Sequence, residues 1–519
     1  MLSADPADAR AAGDLLLAFR LTERMTDAIA LWEGTLRRDD APDDAPFWLR
    51  LAAADALLAL RRPAEAEALY GSVASERPDS AEPWLGLYWA TIEQGRYRDA
   101  AAALDELSKV PGQELTAEIQ RGWLLLFEDR VPAGQARFEA LLEEHPADPR
   151  VRPGLATAHL RQGRPRRGLR AVEELLARTT SSVPRVDNPS ARISRAGALS
   201  ALGDVAAARA EASSLVALYP ENEHARRLDR DLRTQLAPEV YLGGRYDTSD
   251  RGLGESWSQL EASVPLGTRA RLSAGGWGSR SGDERYERGD VELAYAAVAW
   301  RADRWVSVSA ELAWDLSEVA RDPGAAARLA LFPDDRWRVD LGYALDTWRD
   351  LPLRARAADL VGDTMDAGVT YTAGSRWNAR LGGGRSSFSD DNERTWRLAA
   401  AEVLARGGPV YRARFGAELY RSESSRRDVP YFSPPRDLST SLTHRSEWVS
   451  AGAAGRRHTF SLFVHAGVYD QEGFDSGTVG GLWLHSPTSS SSGAPCWCWG
   501  PARAASSTKA HASSIRASS

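Results

Sequence analysis

The chain has 519 residues, a formal net charge of −7, a hydrophobic fraction of 43% and two cysteines, Cys496 and Cys498. Such a length holds two or more domains, the charge argues against a general nucleic-acid binder, and a body without cysteine has no disulfide framework. Lysine occurs only at Lys109 and Lys509, a bias that reads as genome composition more than arginine chemistry. No stretch approaches the roughly 18 consecutive apolar residues of a membrane-crossing helix. The opening MLSADPADAR lacks the basic and apolar parts of a signal peptide.

From the start to about residue 236 the apolar residues recur at helical spacing. Small residues at Ala28, Ala66, Ala100, Ala133, Gly168 and Ala208 each open a similar pattern, with gaps of 38, 34, 33, 35 and 40 residues. A small residue lets two antiparallel helices approach closely, and Pro78, Pro111 and Pro220 stop the second helix of their units. These segments resemble the tetratricopeptide repeat, whose period is about 34 residues. The resemblance implies a protein-binding superhelix, although a rigid spacer fits the same pattern. Trp48, Trp84 and Trp123 are expected in the inter-helix core.

The regime changes between residues 220 and 246. Leu228, Leu232 and Leu236 form a helix stripe that Ala237-Pro238 ends, and Val240, Leu242, Gly244 and Tyr246 then share one side of a strand. Period 2 dominates onward to about residue 485. Val306, Val308, Ala310, Leu312 and Trp314 oppose Ser307, Ser309, Glu311 and Asp315; Val339, Leu341, Tyr343 and Leu345 oppose Asp340 and Asp346. About fourteen strands are expected, with turns such as 302–304, 333–335 and 374–376. A soluble β-sandwich also alternates. Three features favour a transmembrane barrel: strand length, full charges on the polar face, and aromatics near strand ends. Trp257, Trp277, Trp305, Trp314, Trp337, Trp348, Trp377 and Tyr411 are expected in the girdles. The fold class is thus an all-α repeat superhelix over 1–236 and an antiparallel membrane barrel over 237–485, with a disordered or frame-shifted tail over 486–519.

The polar face carries Glu261, Glu292, Glu311, Asp315, Asp340, Asp346, Asp366 and Glu418 against Arg380, Arg412 and Arg414. Carboxylates along a pore concentrate cations, unless each is simply paired with an arginine. A Pro- and aromatic-rich loop, DVPYFSPPRD, follows at 428–437, where Tyr431 and Phe432 are candidates to face a sugar.

With this loop the repeats and barrel together resemble the poly-β-1,6-N-acetylglucosamine export porins of Gram-negative bacteria. Pro430, Tyr431, Phe432, Pro434, Arg436 and Asp437 carry the loop motif, and LPLRA at 351–355 is similar to another family stretch. The resemblance implies a sixteen-strand outer-membrane barrel passing a cationic, partly deacetylated polysaccharide. It also implies a periplasmic repeat arm that engages a polysaccharide deacetylase. Secretins for cellulose and other exopolysaccharides share the layout, and a repeat scaffold merely anchored by a barrel is the other alternative. Against that family the start reads as truncated. The tail, which holds both cysteines and ends Ala517-Ser518-Ser519, reads as a shifted frame that has replaced the last two strands, so poor insertion is expected. No Walker, HExxH, GxSxG or GxGxxG motif occurs, and His444 and His465 are too weakly accompanied to suggest catalysis. No enzyme activity, cofactor or metal site is expected.

Overall fold

The computed structural model describes residues 9–21, 24–36, 45–179, 188–220, 222–248, 254–282, 291–316, 323–347, 355, 360–374, 376–408, 410–429, 431, 433–451, 457–473 and 476–485. The tail 486–519, both cysteines and most of LPLRA lie outside these residues. Thirteen α-helices, with a π-turn at Trp32–Leu36, precede fourteen strands among them.

The helices pair as antiparallel hairpins, α3 (Phe47–Ala59) with α4 (Pro63–Glu76), α5 (Ala81–Glu93) with α6 (Tyr97–Leu107), and α7 (Glu114–Phe127) with α8 (Val131–Glu144). Their backbone keeps a strict period. Positive φ angles recur at Arg61, Gly95, Asp129 and Gly163, each 34 residues after the last. At these turns the amides of Arg62, Arg96 and Arg130 donate to the carbonyls of Leu57, Thr91 and Leu125, closing each first helix with a left-handed cap. The small-residue anchors follow the same period with one correction. Ala133 is exposed, and Gly134 is the buried contact, because its missing side chain makes room for Leu126. The spacing Ala66, Ala100, Gly134, Gly168 is then regular.

The cores are continuous from one hairpin to the next: Leu49, Leu57 and Tyr70 form one cluster, Tyr88, Leu104 and Leu107 the next, Ile119, Leu126 and Phe138 a third. Trp48, Trp84 and Trp123 pack against these clusters. An additional polar latch recurs within them. Arg50, Arg152 and Arg192 on first helices each reach a partner 22 residues later, Ser72 at 2.7 Å, Glu174 at 2.7 Å and Ser214 at 2.9 Å.

Glycines at helix crossings make a prediction possible. In an open helix position Gly→Ala gains up to about 1 kcal/mol. A Cβ on Gly86 would overlap the Tyr70 ring, and one on Gly154 would overlap Phe138. Overpacking costs about 1–3 kcal/mol, so Gly86→Ala and Gly154→Ala should each lower the thermal midpoint. Circular dichroism melting checks this; an unchanged or raised midpoint would contradict it.

The strands form one antiparallel meander in chain order, β1 (Glu239–Thr248), β2 (Gly254–Leu266), β3 (Ala270–Gly282), β4 (Val291–Arg301), β5 (Val306–Asp315), β6 (Gly324–Leu331), β7 (Trp337–Thr347), β8 (Gly362–Ala373), β9 (Trp377–Phe388), β10 (Glu393–Arg406), β11 (Tyr411–Ser424), β12 (Arg436–Ala451), β13 (Arg457–Gln471) and β14 (Gly477–His485). The strands run from 8 to 16 residues. Among the described residues no pairing joins β1 to β14. No described helix is long and apolar enough to cross a membrane.

Contacts divide the chain differently from composition. One unit holds Met1–His159, Ala171–Ala191 and Leu215–Arg226; the other joins Leu160–Arg170 and Arg192–Ser214 to Arg227–Ser519. Within the second unit, Arg271 ties the end of α13 (Glu223–Gln235) to the sheet by donating to the carbonyls of Gln235 at 3.0 Å and Ala237 at 3.1 Å. Composition places a boundary at 236–237, but these long-range contacts cross it.

Candidate translocation site

The two faces of the sheet have opposite chemistry. Leu260, Val298, Leu312, Leu341, Leu345, Met365, Val369, Phe415 and Leu419 are exposed, Leu312 by 50% and Leu381 by 64%. A water-soluble sheet hides such a face against a second layer. At the end of the sheet carrying the turns 332–336, 374–376 and 407–410, aromatic rings join across strands. Trp337, Tyr371 and Trp377 lie 4.6 and 5.4 Å apart, and Tyr411, Trp448 and Phe460 lie 5.5 and 5.6 Å apart. Trp277 differs from the expected girdle. Its register opposite Leu293 and Gln259 puts it on the polar face. The side chains of Trp257 and Trp348 lie outside those described.

Cross-strand register places Glu261, Glu311, Asp315, Asp340, Asp366 and Glu418 on the polar face. Asp315 faces Leu293, Glu311 faces Ala297, and Asp366 faces both Gly342 and Gly384. Glu292 must be corrected. It shares parity with Val298 and Trp300 and is exposed on the apolar face, while Leu293 and Tyr295 beside it are buried on the polar one. Asp346 keeps polar-face parity but sits in a register break between Ala344 and Thr347, with φ of 45°, its amide donating to Asp363 at 3.0 Å. It belongs to the rim, not the regular wall.

Most of these carboxylates have company. Glu261 accepts the Tyr295 hydroxyl at 2.6 Å and the Gln259 amide at 3.3 Å. Asp340 pairs with Arg338 at 2.7 Å and Asp366 with Arg328 at 3.5 Å. Gly342 leaves room for the Asp366 carboxylate, which a side chain there would push aside. Glu402, which sequence reading passed over, lies 3.7 Å from Arg414. The polar wall is therefore an alternation of acid and arginine, less one-sidedly acidic than the sequence suggests.

The 425–435 loop turns inward. Tyr431 is 6% exposed and joins Leu293, Tyr295 and Ala355 in one apolar cluster. Its ring packs edge-on to Phe388 at 5.9 Å, and its hydroxyl accepts from Asn392 at 2.8 Å and donates to Asp390 at 3.3 Å. Burial pushes that hydroxyl's pKa up to about 12. The ring is thus a packing anchor and offers no sugar platform. Pro434 is buried and Arg436 exposed, while Asp437 lies 3.8 Å from Arg394 and 3.4 Å from Gln471. Pro430 and Phe432 lie outside the described residues.

Asn392, 1% exposed, holds the loop: it also donates to Ser433 at 3.0 Å and accepts from Ser425 and the Arg426 amide. Each partner left unsatisfied costs about 1–3 kcal/mol. Asn392→Ala should free the loop and speed tryptic cleavage after Arg426 and Arg427 by about tenfold or more. Unchanged cleavage would show that the loop is held elsewhere.

An exposed apolar face, a mixed-charge face opposite it and an aromatic belt at one end of the strands are the reverse of a soluble fold. Residues 247–486 match the PgaA membrane beta barrel domain, and residues 57–117, 119–164 and 154–223 match tetratricopeptide repeats. The β-region is similar to the PgaA membrane beta barrel domain over nearly its whole length. No curated protein matches the chain. Among solved structures, a bacterial polysaccharide outer membrane secretin is 20% identical, covering 49% of this chain and 86% of that one, with a TM-score of 0.44. A tetratricopeptide repeat protein from Parabacteroides merdae is 16% identical over 45% and 88%, with a TM-score of 0.38. PilW, a type IV pilus biogenesis factor, is 19% identical over 44% and 98%, with a TM-score of 0.31.

In a PgaA-type barrel the apolar face meets lipid and the polar face lines the lumen. On that face Asp340 and Asp366 lie beside Arg338 and Arg328. His444 and His465 fall on opposite faces, the first opposite Phe415 and the second opposite Thr443.

Proposed function

We propose that this chain exports an exopolysaccharide across the bacterial outer membrane, and that its cargo is partly deacetylated poly-β-1,6-N-acetylglucosamine. The observation that carries the reading is the set of lumen-side carboxylates in a PgaA-type barrel. A polymer bearing scattered ammonium groups and neutral N-acetyl groups suits a wall of acid–arginine pairs. Each ammonium exchanges with an arginine for a carboxylate, and each amide or hydroxyl finds a donor or acceptor. Exchange among many weak contacts lets a chain move without being trapped.

The repeats would lie in the periplasm and dock the polysaccharide deacetylase, consistent with the superhelix of antiparallel hairpins and its general use for protein binding. The loop anchored by Asn392 and Tyr431 would then lie at the extracellular end of the strands, still packed onto the polar face. The function is that of a conduit, with no chemical step assigned to it.

The test is complementation. A bacterium deleted for its own export porin and supplied with this full-length chain should display the glucosamine polymer at its surface, detected by a hexosamine-specific lectin. Polymer retained in the periplasm despite a folded, membrane-inserted chain would overturn the reading.

A further inference from the structure

One tryptophan stands on the wrong face for a membrane belt. Trp396 on β10 shares parity with Glu402, and its register opposite Gly384 and Ser422 puts it on the polar face beside Asp366. The indole reaches across to β9. Its Nε1 lies 2.7 Å from where a Cβ on Gly384 would stand, and its Cζ3 lies 3.9 Å from that of Gly382. The residue is half-buried, and among the described residues nothing accepts its Nε1–H. A tryptophan placed only for packing usually has that group bonded.

The wall beside the ring is bare. Gly368 and Gly382 are register partners on the polar face, about 5 Å apart across the strands. A Cβ on Gly368 would meet nothing nearer than 3.6 Å, and one on Gly382 nothing nearer than 3.4 Å, which is ordinary contact. Gly384 differs, because a side chain there would collide with the Trp396 ring. Glycine inside a strand weakens it, and where packing does not call for one it marks close approach by another molecule.

Polar groups edge this patch. Asp340 is the register partner of Gly368 on β7, and Asp366 lies one step along β8 on the same face. The Arg380 Nε is 4.0 Å from the position of a Gly368 Cβ. A pyranose has C–H faces and a rim of hydroxyl and amide groups. An aromatic ring next to bare backbone accepts the C–H face, while carboxylates accept from hydroxyls and a guanidinium or indole N–H donates to an amide carbonyl.

We propose that Trp396 and the Gly368–Gly382 patch form a subsite for one N-acetylhexosamine ring of the exported polymer. The subsite holds the ring by its shape, where the carboxylates of the wall act on charge. The proposal rests on the export reading and extends it.

The test is block of ion current through the full-length chain in a planar bilayer. The probe is a short, fully acetylated β-1,6-linked N-acetylglucosamine oligomer, which carries no charge. Wild type should be blocked saturably, with a half-blocking concentration that changes little with salt. W396A should raise that concentration by about fivefold or more, and W396F should keep most of the block. G382V, which fills the patch, should raise it similarly while inserting as wild type does. A polyethylene glycol of the same size should act equally on all four proteins.

Block unchanged in an inserted W396A, or the same shift with polyethylene glycol, would overturn the proposal. A wild type that displays polymer on cells but is not blocked by the oligomer would overturn it and leave the export reading standing. A wild type that does neither would remove the export reading, and this proposal with it. Should G382V not insert, W396A against W396F decides alone; should W396A not insert, G382V decides.

Discussion

Replacing Glu311, Asp315, Asp340 and Asp366 together by their amides should lower surface display of the cationic glucosamine polymer by about tenfold, with no comparable loss for a fully acetylated one. Each carboxylate–ammonium contact in a wet lumen is worth only about 0.2–1 kcal/mol, so a single substitution changes little and the group is needed. The loss should shrink as salt is raised, because the effect is Coulombic. Asp340 and Asp366 sit beside Arg338 and Arg328, and their neutralisation also leaves those guanidiniums without partners facing the cargo. The measurement is lectin-detected polymer per cell, normalised to inserted protein. Equal loss for cationic and neutral polymers would assign these residues to the structure of the wall.

The second large effect concerns the face toward lipid. Leu312 is half exposed on β5, and Ala297 lies opposite Glu311 on the other face of the β4–β5 pair. An arginine facing lipid near the bilayer centre costs about 2–4 kcal/mol, whereas one in the lumen beside a carboxylate is solvated and paired. L312R should therefore sharply reduce the fraction that folds into vesicles, while A297R should fold near wild type. Folded fraction by heat-modifiable gel mobility checks both. Equal tolerance of the two would contradict the assignment of faces.

Alternation could be read wherever one face was uniformly apolar, as in β5, β7, β8, β11 and β13. It failed in β4, VELAYAAVAWR, where both faces are apolar. The reason is non-local: Leu293 and Tyr295 are apolar on the polar face because Tyr431 and Ala355, distant in sequence, pack onto them. Glu292, at the end of that strand, then had no pattern to fix its side. The same cluster explains Trp277, an aromatic near a strand end that packs against it on the polar face. In the helices, the period was legible but the register of one anchor was not. Ala133 and Gly134 are both small, and only packing against Leu126 tells them apart. The Arg166–Asp335 contact, 169 residues apart, had no sequence signal at all.

The most direct test of the central claim is ion selectivity of the purified full-length chain in a planar bilayer under a potassium chloride gradient. Lumen carboxylates that serve a cationic cargo should make the pore cation-selective. The reversal potential should move toward zero in the Glu311, Asp315, Asp340 and Asp366 amide variant. A wild-type pore that is unselective or prefers chloride would contradict the account.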